Sequence, residues 1–159
     1  MDRYFFTKED FEALCRRIAE VEQKVREHTF AVGQVVDSSG DAWHDNQLYY
    51  EQRMSESWSS NLRKLIEIKR QAEIIDKPPP DDGTIRFGSI VKCKDLETET
   101  VFVYRISSYM IDESQEQNEI KRISYVSPMG KLLIYAKIGD IVEGKIGGNK
   151  KRLEILEIK

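Results

Sequence analysis

The sequence predicts an α+β protein in two parts: an N-terminal antiparallel α-helical coiled-coil hairpin, then a small C-terminal domain built on an antiparallel sheet. Three observations predict it. Apolar residues in the first half recur at alternating intervals of three and four. Three consecutive prolines, Pro78-Pro79-Pro80, interrupt the chain near its middle. Glycine and proline crowd beyond that break: only Gly33 and Gly40 of nine glycines precede it, and all four prolines follow residue 77. Helix interiors tolerate neither residue well, so the first half reads as helix and the second as strands and turns. The expected boundaries are residues 1–75 for the coiled coil, 76–83 for a proline-rich extended linker and 84–159 for the sheet domain.

The first helix follows from one seam. Phe11, Leu14, Ile18, Val21, Val25, His28, Val32 and Val35 stand at heptad spacing with a single polar member, His28. Thr7 is its expected N-cap, with Asp10 three residues on as a capping-box partner. The short apolar cluster Tyr4-Phe5-Phe6 before it is expected to pack at the helix base. A second seam runs Met54, Trp58, Asn61, Leu65, Ile68, Ala72, Ile75. Between the two lies the turn signal Asp37-Ser38-Ser39-Gly40-Asp41. Two seams around one short turn make an antiparallel hairpin, about 45 Å long at 1.5 Å per residue. Each helix buries only one stripe, which explains why 33% of the residues are charged and mean hydropathy is −0.55.

In the second half, residues 85–94 and 100–107 read as strands, rich in β-branched and aromatic residues with partial alternation. Residues 120–126 read as a third strand. Ser127 and Pro128 then open a short helix, serine as N-cap and proline at the first helical position. Residues 141–146 and 153–158 are the last strands, joined by the hairpin signal Gly147-Gly148-Asn149. The acidic stretch 112–119 reads as a surface loop.

Composition narrows the function. The chain has 159 residues, 25 basic and 28 acidic, net −3. The 11 basic and 14 acidic residues before residue 76 carry that net charge, and the remainder is neutral with 14 of each. This excludes a histone-like basic binder and an acidic disordered tail. No apolar run is long enough to span a membrane, and the first residues lack a signal layout, so a cytoplasmic protein is expected. The two cysteines, Cys15 and Cys93, and two histidines, His28 and His44, show no zinc spacing, and a disulfide between the cysteines is not expected.

The helical hairpin, linker and small sheet domain together resemble the Gre transcript-cleavage factors of bacterial RNA polymerase. The tip Gly40-Asp41-Ala42-Trp43-His44-Asp45-Asn46-Gln47-Leu48-Tyr49 is similar to that family's tip, a Gly-Asp pair followed by an acidic residue, Asn and later Tyr. The stretch Ile123-Ser124-Tyr125-Val126-Ser127-Pro128-Met129-Gly130-Lys131-Leu132-Leu133, with Gly139-Asp140-Ile141-Val142, is similar to the family's C-terminal domain, so the resemblance implies an FKBP-like fold there. It covers roughly residues 7–158.

The resemblance implies a monomeric accessory factor, not itself an enzyme. Its coiled coil would enter the polymerase secondary channel, and two tip carboxylates would help hold a second Mg²⁺ while the polymerase hydrolyses the 3′ end of backtracked RNA. Mg²⁺ favours hard oxygen ligands, and two carboxylates are too few to bind it tightly alone. Matched residue by residue, Asp41 takes the first acidic position and Asp45 the second, leaving Asn46 and Tyr49 in place. Three residues, Ala42, Trp43 and His44, then intervene where the family has two, and the second acid is Asp in place of Glu. An ungapped match puts His44 at the second acidic position. Trp43, His44 and Asn46 are candidate tip contacts, and His44 is a candidate ligand or proton carrier.

Ser127 and Pro128 fall where the family docks on the polymerase rim, and Arg53 and Arg63 where a basic patch would meet the RNA 3′ segment. Bland readings stand beside these. Asp41 and Asp45 suit helix capping, Trp43 a packing staple, Ser127-Pro128 a plain helix start. Acidic neighbours such as Glu56 and Glu67 fit a solvated face equally well. Two other functions stay open: a secondary-channel regulator that does not cleave, and an FKBP-like chaperone or prolyl isomerase. The latter needs a deep aromatic-lined pocket, and both tryptophans, Trp43 and Trp58, lie in the coiled coil.

Overall fold

The computed structural model describes residues 3–37, 42–77, 79–111 and 120–159, apart from the side chains of residues 37 and 42–45. The chain forms two compact units. One comprises Phe11–Ala72, and the other joins Arg3–Asp10 to Glu73–Lys159.

The first unit is the helical hairpin. Helix α1 runs Lys8–Asp37 and α2 runs Ala42–Arg70. The seam behaves as the spacing requires: Leu14, Ile18, Val21 and Val35 are buried, as is Leu65 on α2. Phe11, Val25, His28 and Val32 are half-buried, with Met54, Trp58, Asn61 and Ile68 opposite. Two cross-helix contacts fix the antiparallel register. His28 Nδ1 lies 2.6 Å from Glu51 Oε2, and Thr29 Oγ1 lies 3.3 Å from Ser55 Oγ. Residue numbers at one level therefore sum to about 80, which sets Leu14 level with Leu65 and Val21 level with Trp58.

The second seam does not extend to its expected end. The helix stops at Arg70, with Lys69 and Arg70 complementing its C-terminal dipole. Ala72 and Ile75 are not helical: strand β2 covers Ala72–Ile74. It pairs with β1, Tyr4–Phe6, in a two-stranded sheet, and Ile75 N donates to Phe6 O just beyond it. Local apolar spacing cannot distinguish a last helical turn from a short strand, and here the pairing of Phe6 decides.

The second unit carries a five-stranded sheet of order β5-β4-β3-β7-β6. Its strands are β3 Ile90–Asp95, β4 Val101–Ser107, β5 Ile120–Ser124, β6 Ile141–Ile146 and β7 Asn149–Ile158, with helix α3, Pro128–Leu133, between β5 and β6. Neighbours pair antiparallel except β4 and β5, which are parallel. A parallel neighbour needs a long return connection, and residues 108–119 supply that length. The strand expected over 85–94 starts only at Ile90, because Gly88 takes a φ of +89° and turns the chain. The third strand ends at Ser124, earlier than expected, where α3 is capped. The last strand begins earlier than expected, at Asn149. Gly147 and Gly148 both have positive φ, 59° and 85°, the geometry of a two-residue turn that lets β6 and β7 pair from Ile146↔Asn149 onward.

One core underlies this sheet: Ile85, Val91, Cys93, Tyr104, Ile106, Leu133, Ala136, Leu153 and Ile155. Along β3 the inward positions are Val91, Cys93 and Asp95. Both cysteines are free thiols. Burial, with the nearby Asp95 charge, pushes the Cys93 thiol up to about 11, so it stays protonated at neutral pH. Among the described residues no helix is long and apolar enough to cross a membrane.

Candidate functional site

Of the tip residues that carry the resemblance, Ala42 to Tyr49 lie at the start of α2. Asp41 lies outside the described residues, and so do the side chains of Trp43, His44 and Asp45. The backbone of α2 begins at Ala42, which puts Asp45 in its first turn and Asn46 next to it, exposed. Among the described residues no group of three or more His, Cys, Asp or Glu side chains could hold a metal ion.

Below the tip, the hairpin surface is more apolar than a solvated rod requires. Phe30 is 67% exposed on α1, and Tyr49 and Tyr50 are 62% and 56% exposed on α2. The register places Phe30 level with Tyr50. Arg53, exposed, lies with its guanidinium 5.7 Å from the centre of the Tyr49 ring. Arg63 is exposed nearly three turns further along α2. The one polar seam residue is not idle, since His28 and Glu51 have side chains only 20% and 16% exposed and meet each other. A polar pair inside an apolar seam fixes register more than it adds stability.

In the second unit, Ser127 caps α3 as its sequence implied. Its Oγ accepts from Gly130 N at 3.0 Å and donates to Ser124 O at 2.7 Å, and Pro128 occupies the first helical turn. A Cβ on Gly130 would stand 2.1 Å from Ser124 O, so only glycine fits where α3 crosses the end of β5. The signal for this contact in the sequence is a glycine inside an otherwise plausible helical turn.

The expected Thr7–Asp10 cap forms in altered shape. Asp10 N donates to Thr7 Oγ1 at 3.2 Å, and Thr7 Oγ1 donates to Asp10 Oδ2 at 3.0 Å. In a capping box the acid would return to the Thr7 N–H. Here Ser108 Oγ takes that N–H at 2.9 Å and donates its own proton to Asp10 Oδ2 at 2.5 Å. Arg122 Nη2 donates to the same oxygen at 2.5 Å. The Asp10 side chain is wholly buried and that of Arg122 is 11% exposed. Ser108 and Arg122 are far from Asp10 in sequence, so no local pattern announced the cluster.

A second buried acid, Asp95, meets Lys151 Nζ at 2.5 Å and accepts from Glu97 N at 2.9 Å. The Lys151 ammonium, then that N–H, hold its carboxyl below the usual range. Around Phe5 an aromatic cluster forms, with Phe87 and Tyr125 at 6.2 and 5.6 Å. These rings pack on one another, and the Tyr125 hydroxyl accepts from Phe5 N at 3.2 Å.

A coiled-coil helix pair followed by a curled sheet with a Ser-Pro-capped helix defines a class of two-part factors, and comparison with known proteins identifies the family. The model of the family described as "Transcription elongation factor, GreA/GreB, C-term" matches residues 80–159. Transcription elongation factor GreA of Beijerinckia indica is 31% identical over 99% of this chain and 98% of its own. GreA of Lachnoclostridium phytofermentans is 31% identical over 88% of this chain and 80% of its own. Among solved structures, the GreA factor homolog 1 protein of Thermus thermophilus is 21% identical, with 99% of each chain covered and a TM-score of 0.46. The chain belongs to the GreA/GreB family of transcription elongation factors.

Proposed function

We propose that this protein binds bacterial RNA polymerase through the secondary channel and stimulates cleavage of backtracked RNA by the polymerase. The observation that carries the reading is the end-to-end match to GreA factors, hairpin half included. On this reading the protein is a monomeric, cytoplasmic accessory factor, and hydrolysis is the polymerase's own reaction. The rod of α1 and α2 supplies reach, and the second unit anchors on the polymerase rim near Ser127 and Pro128.

Asp41 and Asp45 are the residues placed to act in the polymerase active site. Their carboxylates are hard oxygen donors of the kind Mg²⁺ takes, and two of them leave most of an octahedral shell to other ligands. They therefore fit a metal shared with the polymerase better than one held by this chain. When bound, a second Mg²⁺ stabilises the attacking and leaving oxygens of phosphodiester hydrolysis. The protein's contribution is to aim two negative charges from the end of a stiff hairpin, beside Trp43, His44 and Asn46. Arg53 and Arg63, both exposed, face outward where an RNA 3′ segment would run.

A second reading rests on the tip sequence itself. Three residues separate Asp41 from Asp45, and the second acid is one methylene shorter than the family's usual Glu. A channel-binding regulator that does not cleave is the outcome if the carboxylates miss the metal. The deciding experiment adds the protein to a stalled, backtracked elongation complex with Mg²⁺. Shortened RNA that depends on Asp41 and Asp45 supports cleavage. Polymerase binding with altered synthesis and unshortened RNA supports the second reading. His44→Ala in the same assay shows whether Asp45 or His44 fills the second acidic position.

A further inference from the structure

A cleft of about 770 Å³ opens within the second unit, walled by the first turn of α1, the chain after β2, the Gly88 turn and the paired strands β4 and β5. That volume lies in the range of small-molecule sites. Four cations line it, Lys8, Lys77, Arg105 and Arg122, against two carboxylates, Glu9 and Asp76. None of this belongs to the hairpin tip or to the Ser127-Pro128 region.

The two arginines carry the argument. Arg105 and Arg122 are direct partners in the parallel β4–β5 register, so both side chains leave the same face of the sheet and both line the cleft. Like charges directly opposite on neighbouring strands repel. Asp10 answers one of them by its bond to Arg122. Arg105 is exposed and has no ion-pair partner among the described residues. A guanidinium held at a cavity wall, next to a partner already neutralised, presents its donor fork to an incoming anion, and that fork matches phosphate. Thr7, Lys8 and Glu9 at the start of α1 form another wall, so Lys8 adds a second cation beside Arg105 and Glu9 opposes it.

The remaining wall is apolar. Phe87 lines the cleft and is held edge-on to Tyr125 at 6.0 Å, while Pro79 packs beside Gly88. A fixed aromatic face next to a cationic wall suits a ligand with a flat ring at one end and phosphates at the other. We infer that this cleft binds a small phosphorylated ligand of nucleotide size, its phosphates on the Arg105–Arg122 wall and its ring against Phe87 and Pro79. The volume of the cleft matches a small molecule.

The test is calorimetric titration of the full chain with three probes: ATP, inorganic pyrophosphate and adenosine. ATP binds saturably, pyrophosphate several-fold more weakly, and adenosine does not saturate. Arg105→Gln weakens ATP by about tenfold or more, the loss of one charge-assisted fork. Because Arg105 is exposed, the variant keeps the wild-type circular dichroism. Lys145→Gln, an exposed change on β6 at the opposite edge of the sheet, leaves ATP affinity unchanged. In ¹⁵N-labelled protein, ATP shifts the amide resonances of Gly88, Ile106 and Ile120. The inference is overturned if millimolar ATP gives no saturable binding, or if Arg105→Gln binds within about twofold of wild type. It is also overturned if adenosine binds as well as ATP. Loss of polymerase binding in Arg105→Gln without any ATP binding would mark this face as a protein-docking surface and likewise overturn it. None of these outcomes depends on RNA cleavage.

Discussion

Replacing Asp10 by alanine tests whether one carboxylate holds the second unit's edge together. Its Oδ2 accepts from Thr7 Oγ1, Ser108 Oγ and Arg122 Nη2 at 3.0, 2.5 and 2.5 Å, with the Asp10 side chain fully buried. Deletion strands the Arg122 charge at 11% exposure and removes the acceptor of the buried Ser108 hydroxyl. Breaking one side of a buried ion pair costs about 3–5 kcal/mol. Against a domain stability of about 5–15 kcal/mol that is a large share, and it lowers the melting temperature by about 12 °C or more. Urea unfolding reads it out by unit. Both tryptophans, Trp43 and Trp58, lie in the hairpin, so tryptophan fluorescence follows the first unit, and the amide NMR signals of core strand residues such as Val91 and Ile155 follow the second. The double variant Asp10→Leu with Arg122→Met recovers most of the loss, because an apolar pair of similar volume removes the stranded charge. A loss below about 1 kcal/mol in Asp10→Ala would refute the reasoning.

Other outcomes follow from the same geometry. Gly130→Ala forces a Cβ to 2.1 Å from Ser124 O and costs about 3 kcal/mol or more, read as a drop in urea midpoint. A double-mutant cycle of His28→Ala and Glu51→Ala in the hairpin gives a coupling of about 0.5–1.5 kcal/mol, since the pair is half-buried and meets at 2.6 Å. Asp95 has a folded pKa below its unfolded value, so its stabilisation is complete above the ordinary carboxylate range and is lost as pH falls through the folded value. Asp95→Asn therefore flattens the stability–pH curve below about pH 4, measured by urea unfolding across acid pH.

The parts of this fold set by local pattern were legible in the sequence. Both helices followed from the 3–4 spacing of residues such as Leu14, Ile18 and Val21, and α3 from the Ser127-Pro128 pair. The Gly147-Gly148 turn announced the last hairpin because two positive φ angles in succession favour glycine. The parts set by distant partners were not legible. Tyr4–Phe6 became a strand because Phe6 pairs with the chain after α2, and Ala72 was lost to the helix for the same reason. Arg105 and Arg122 are seventeen residues apart, and only the parallel register shows that they share a face. The candidate tip rests on its acids and its position between two seams, which is composition and topology. The direction in which Asp41 and Asp45 point is geometry that a linear pattern does not encode.

The most direct measurement is the length of RNA in a stalled, backtracked elongation complex after adding the protein with Mg²⁺. The proposed function predicts shortened transcripts with the wild-type chain and none with Asp41→Ala or Asp45→Ala, each of which still binds the polymerase. Transcripts of unchanged length with the wild-type chain would contradict it.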